Sequence, residues 1–293
     1  MNRLPYSNRV LGHLAGLATI ALVAGTLAAR AAGAEEWTKS YSISGRARVR
    51  VDTNDGAVRV TTGESKQVEF RVIYEGYTVD KNLTITSKQD GDNVEISARA
   101  RNGMNWGWNM HRRLRIEIHM PRNADLGVET GDGSVESDAI TGNVDIHTGD
   151  GHIRLDGAKG DIRLRTGDGS IEGRDLDGKL EANTGDGHVT LDGRFDSLDI
   201  KTGDGSINAR VNPGSKMVNG WNVRTGDGSV TMSVPADLQA NIDATTNDGR
   251  ISLGIPVTVE GNLGTSQIHG KMNGGGAPLT IHTGDGSIHL SKT

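Results

Sequence analysis

Aspartates at fixed spacing raise the first chemical question in this chain. Asp132, Asp150, Asp168, Asp186 and Asp204 each lie within the phrase Thr-Gly-Asp-Gly, 18 residues apart, and Asp227, Asp248 and Asp285 continue the series more loosely. If successive copies stack as strands, these carboxylates fall about 4.8 Å apart. Two such charges repel by roughly 1 kcal/mol in water and several-fold more near a protein surface. A cation would offset that, because calcium takes clusters of oxygen ligands. Hydrogen bonds from the turn's own N–H groups and from the neighbouring Ser or Thr hydroxyl would offset it without metal. The second reading fits better. Calcium-binding nonapeptide solenoids carry G-G-x-G-x-D-x-U-x, and here Ile153, Ile162 and Ile171 stand where the ligand Asp would be. The expectation is no metal, with Asp132, Asp150, Asp168, Asp186 and Asp204 as the alternative ligand set. His152 and His188 share a column with Ser170 between them, about 9.6 Å apart, too far to share one ion.

A second candidate is the segment from Gly103 to Arg113, which holds Trp106, Trp108, Arg112 and Arg113. Two readings stay open for it. The segment folds back as a cap on the end of a stack, which every repeat architecture needs. Alternatively, Trp and Arg together form an anchor for a protein partner, a glycan or a lipid headgroup. No catalytic residues are identified, since a catalytic site needs unlike groups in one special place and the repeat offers the same groups at every rung. No cofactor is expected.

These side chains are positioned by the repeat itself. Within Val144–Gly157, Val144 and Ile146 alternate with polar neighbours, as do Ile153 and Leu155, which marks strands with one buried face. Ile140, Ala158 and Leu176 supply a weaker third inward point. The corner glycines are Gly131, Gly133, Gly149, Gly151, Gly167, Gly169, Gly185, Gly187, Gly203 and Gly205, expected to supply positive φ for a sharp turn. Hairpins would also use Asp-Gly turns. The outward columns decide against them. Asp145, Arg163 and Glu181, then Glu136, Arg154 and Glu172, then Glu129, His147, Arg165, Asn183 and Lys201 fall 18 apart, mostly alternating in sign or interposing a neutral residue. In-register parallel stacking favours that pattern. The reading is an all-β chain forming a parallel β-solenoid, or β-helix, right-handed by the general crossover preference. Its coils have 18 residues, two strands and a weaker third side.

Three segments follow. Residues 1–34 read as a signal peptide, with Arg3 and Arg9 before an apolar run and Ala32-Gly33-Ala34 as the small-residue cleavage site. The run is about 16 residues, short for a membrane span. Residues 35–125 read as N-terminal strands and wider coils, and 126–293 as the regular solenoid, with a degenerate corner at Thr265. The chain has no Cys, which excludes disulfides and thiol chemistry, and its net charge of −5 with interspersed signs gives no electrostatic case for nucleic acid.

The opening VRVDTNDGAVRV, the strand RRLRIEIHMP and the following LGVETGDGSV resemble the bacterial "putative adhesin" family, a domain of unknown function on exported and envelope proteins. The resemblance covers nearly all of the chain after residue 34 and implies surface attachment, with no catalytic residues to carry over. The expected protein is a non-enzymatic adhesion or scaffold module in the periplasm or at the cell surface. Its partner would be an envelope component, glycan or protein, and no transmembrane segment would remain after signal removal. The alternative is a polysaccharide lyase or hydrolase on the same scaffold. Mass spectrometry of the exported product should find an N-terminus at Glu35; a membrane-retained product carrying Met1 would contradict the signal reading.

Overall fold

The computed structural model describes residues 34–101, 112–259 and 264–293, within one unit made of strands and turns, with no helix among the described residues. Residues 1–33, which carry nearly all of the signal-peptide reading, and the pair Trp106 and Trp108 lie outside the described residues.

The strands stack in two parallel ladders. In one, Val144–Thr148 lies between Ala124–Thr130 and Lys159–Thr166, with Val144 beside Leu126 and Ile162. In the other, Ile153–Asp156 lies between Val135–Ser137 and Ile171–Asn183, with Ile153 beside Val135 and Ile171. Both registers equal the sequence period, so the outward columns inferred from spacing are physical neighbours. Arg163 stands between Asp145 and Glu181, and Arg154 between Glu136 and Glu172. Arg154 pairs along its column with Glu172 at 3.2 Å, and Arg165 reaches across to Glu181 of the neighbouring column at 3.0 Å. Such exposed pairs contribute about 0–1 kcal/mol each. Burial inside the tube stabilises the stack more. Val144, Ile146, Ile153, Leu155, Ile162 and Leu164 are buried, as are Ile140, Ala158 and Leu176 on the third side. Each fully buried aliphatic side chain contributes about 1.5–3 kcal/mol.

The corners work differently from the expectation. None of Gly131, Gly133, Gly149, Gly151, Gly167, Gly169, Gly185, Gly187, Gly203 and Gly205 has a left-handed φ. Glycine is required there by the approach of the coil below. A Cβ at Gly169 would run into the carbonyl oxygen of Gly151 and crowd the hydroxyl of Thr166. The backbones meet because the Gly167 N–H donates to the Gly149 carbonyl at 2.5 Å. Positive φ appears instead at the opposite corner, at Gly160 and Gly178, with φ of 132° and 128°.

The ends of the stack do not follow chain order. The coil that opens the sequence, Ala47–Thr53 and Ala57–Gly63, is an inner rung. It lies between Ala124–Thr130 and Asn93–Ala100 in one ladder, and between Val135–Ser137 and Arg113–Pro121 in the other. Antiparallel strands Glu35–Ser42, Gln67–Glu75 and Leu83–Asp90 border that end. At the other end, Ala277–Thr283 lies between Trp221–Thr225 and Ala240–Thr246, and Ile288–Lys292 between Val230–Val234 and Ile251–Gly254. The last coil of the chain is therefore inserted between two coils formed before it. This corrects the expected corner at Thr265, which is exposed and leads into Gln267–Met272, antiparallel to Ala240–Thr246. The segment folds over the end coil as a hairpin and adds no rung of its own.

Gly169→Ala tests the close approach of the two coils at the corner. Steric contact with the lower coil predicts a loss of about 1–3 kcal/mol or more, as for overpacking, readable in thermal or denaturant melts. A melting temperature equal to wild type would return the corner to a relaxed turn.

Candidate functional site

Each corner is held by a buried threonine. Thr148 is fully buried, its Oγ1 accepts the Gly151 N–H at 3.1 Å, and it donates across to the Gly133 carbonyl at 3.1 Å. Thr166, Thr184, Thr202, Thr225 and Thr283 repeat the arrangement, and Thr246 repeats the donation alone, to the Gly286 carbonyl at 2.8 Å. Their stacking order is Thr225, Thr283, Thr246, as the inserted coil dictates.

Threonine rather than aspartate thus satisfies the turn, which corrects the expected role of the carboxylates. Asp132, Asp150, Asp168, Asp186 and Asp204 are exposed. Among the described residues no group of three or more His, Cys, Asp or Glu is placed to hold a metal ion. His152 and His188 are exposed too, and each brings Nδ1 to the N–H of the residue one coil on, Ser170 at 3.1 Å and Ser206 at 3.0 Å. Ser206 and Ser229 do the same with Oγ toward Ser229 and Ser287. This column therefore caps amides that lie outside the strand ladders.

Of the aromatic and basic candidates, Arg112 and Arg113 are described, and they line a cleft of about 640 Å³ near the N-terminal end of the stack. The strand Arg113–Pro121, parallel to the first coil and antiparallel to Gln67–Glu75, brings them beside Asp55, Tyr74, Glu75 and Asp132. The Arg112 guanidinium stands 5.6 Å from the Tyr77 ring centre, a cation–π contact. Burial pushes the Tyr77 hydroxyl up, with Asp55 adding to the shift and Arg112 opposing it. Burial also raises the Asp55 carboxyl, and the nearby charge of Asp132 adds to it. The cleft combines guanidinium groups, carboxylates and aromatic faces, a mixture suited to holding polar, hydroxyl-rich or zwitterionic groups.

Sequence reasoning passed over a second concavity on the first ladder, which Gly127 lines together with the basic Arg48, Arg50 and Lys88 and the carboxylates of Asp90, Glu95, Asp125 and Asp145. The signal was available. Gly127 interrupts Leu126 and Val128 where alternation calls for an outward polar side chain, and an isolated strand glycine marks a bulge or a close approach.

A family model described as Toastrack DUF4097 matches residues 46–291. No curated protein matches the sequence. Among solved structures, a "putative lipid binding protein" from Parabacteroides distasonis is similar at 14% identity, covering 88% of this chain and 97% of that one, with a TM-score of 0.50. A "putative cell adhesion protein" from Clostridium sporogenes is similar at 15% identity over 89% and 100%, TM-score 0.32. A "putative adhesin" from Parabacteroides merdae is similar at 12% identity over 88% and 97%, TM-score 0.43.

Asp55 supplies a pH test. Its carboxyl has a pKa raised above the ordinary Asp value in the fold, so the destabilisation is absent below that ordinary value and sets in as the pH rises through the folded titration. Asp55→Asn should raise the melting temperature at neutral pH, and the gain should shrink as the pH falls through the Asp55 titration. A gain that stays constant with pH would contradict the electrostatic origin.

Proposed function

The chain belongs to the Toastrack DUF4097 family, and from that premise we propose that it is an exported, non-enzymatic module that attaches to, or scaffolds, a component of the bacterial cell envelope. Its coils are taken to wind right-handed, by the general crossover preference. The observation that carries this reading is the outward register. Parallel stacking sets charged side chains against partners on neighbouring rungs, as in Arg165 with Glu181 and Arg154 with Glu172. The faces become long, hydrated ladders in which the charged groups hold one another. A surface of that kind presents a fixed array of shallow contacts to an extended partner, whereas a lyase or hydrolase needs one groove with clustered unlike groups.

The cleft beside Arg112 and Arg113 is the natural place for a stronger contact, since arginine and aromatic side chains together carry much of the energy in protein interfaces. Trp106 and Trp108 precede it by a few residues in the chain.

Co-sedimentation with isolated envelopes tests the proposal. The wild-type protein should pellet with envelopes. Trp106→Ala with Trp108→Ala, and separately Arg112→Ala with Arg113→Ala, should weaken that attachment several-fold while leaving the melting temperature nearly intact. Variants that melt early with no separate attachment defect would make the segment a cap.

A further inference from the structure

Gly127 differs from the corner glycines. It sits in the middle of Ala124–Thr130, on the outward face, in register between Arg50 and Asp145. A side chain there would have room, because the nearest atom to a Cβ is the Val49 carbonyl oxygen at 4.0 Å, and the residue has no left-handed φ. Packing does not call for glycine, and a strand interior is weakened by it. What the glycine does is leave a notch. Concavities of about 440 Å³ and 260 Å³ open on either side and share Arg50, Gly127 and Asp145.

Most charges around the notch are matched. Asp125 takes Arg46 at 2.8 Å and Arg48 at 3.8 Å, Glu95 takes Lys88 at 2.8 Å, and Asp145 takes Arg165 at 3.8 Å. Arg50 is exposed and stands across the ladder from Glu95 and Gly127. Position 127 falls between a basic and an acidic neighbour, so either charge there would meet one like charge; with glycine in place, Arg50 lines the gap and forms no ion pair of its own among the described residues. Asp90, Asn93 and Asn143 stand around the rim.

We propose that the Gly127 notch is a subsite for one ring of an acidic saccharide, with the sugar carboxylate on the Arg50 guanidinium and the ring lying over the bare backbone of Gly127. Guanidinium matches a carboxylate with two parallel hydrogen bonds. Backbone without a Cβ lets the C–H face of a sugar ring approach closely. Asp90 and the two asparagines supply acceptors and amide donors for ring hydroxyls. The proposal rests on the envelope-module reading and names a ligand class for it.

Titration calorimetry with trigalacturonate and its methyl ester tests the subsite on the whole protein. Wild type should bind the acid saturably and the ester at least tenfold more weakly. Gly127→Thr, which fills the notch with a good strand former, should keep or raise the melting temperature while weakening acid binding at least tenfold. Arg50→Gln should reduce acid binding to the level of the ester. Absence of wild-type binding, binding of anionic lipid vesicles in place of the saccharide, or equal binding by Gly127→Thr would overturn it. Envelope attachment separates this from the broader reading. Attachment by wild type and Gly127→Thr alike, without acid binding, removes the subsite and leaves the module. Acid binding that depends on Gly127, without envelope attachment, keeps the subsite and removes the module.

Discussion

Everything in this protein depends on how closely two coils approach at the Thr-Gly-Asp-Gly corner. The Gly185 N–H reaches the Gly167 carbonyl at 2.5 Å, and the Thr184 hydroxyl spans to the Gly169 carbonyl at 2.8 Å while accepting the Gly187 N–H at 3.2 Å. A Cβ on either glycine would collide with the lower coil. The threonine is buried, so both of its partners would be left unsatisfied without it. This contact sets the spacing and register of the ladders. Register in turn decides which charges meet and which apolar side chains fill the inside.

Much of this was legible in the sequence because its signals are periodic. A period of 18 fixed the pairing of Val144 with Ile162, and alternation fixed which side chains point inward. The corner threonine was legible as a fixed member of the repeated phrase. Its hydrogen-bonding role was not, because turn chemistry assigns the same bonds to Asp as readily as to Thr. The reason for glycine was misread on similar grounds. Positive φ and close backbone approach both demand glycine, and sequence does not separate them. Order along the stack was the least legible feature. A coil such as Ala277–Lys292 carries the same phrase wherever it stacks, and only irregular spacing after Thr202 hinted that the chain leaves and returns.

The outer surface shows the same division. Repeated rungs present paired charges, and departures from the repeat present chemistry. The cleft at Arg112 and Arg113 lies near the end of the stack, where parallel coils give way to antiparallel strands. The Gly127 notch lies where a column loses one member. In a molecule built from equal rungs, recognition falls to the rungs that differ.

The central claim is that a buried threonine bridging two coils holds each corner. Equilibrium denaturation of Thr184→Val tests it most directly. Valine keeps the side chain's shape and β-branching while removing the hydroxyl that serves the Gly187 N–H and the Gly169 carbonyl. The account predicts a loss of about 1–3 kcal/mol with an unchanged denaturant slope. Stability equal to or above that of the wild type would contradict it, and would leave burial and the backbone ladder alone to hold the stack.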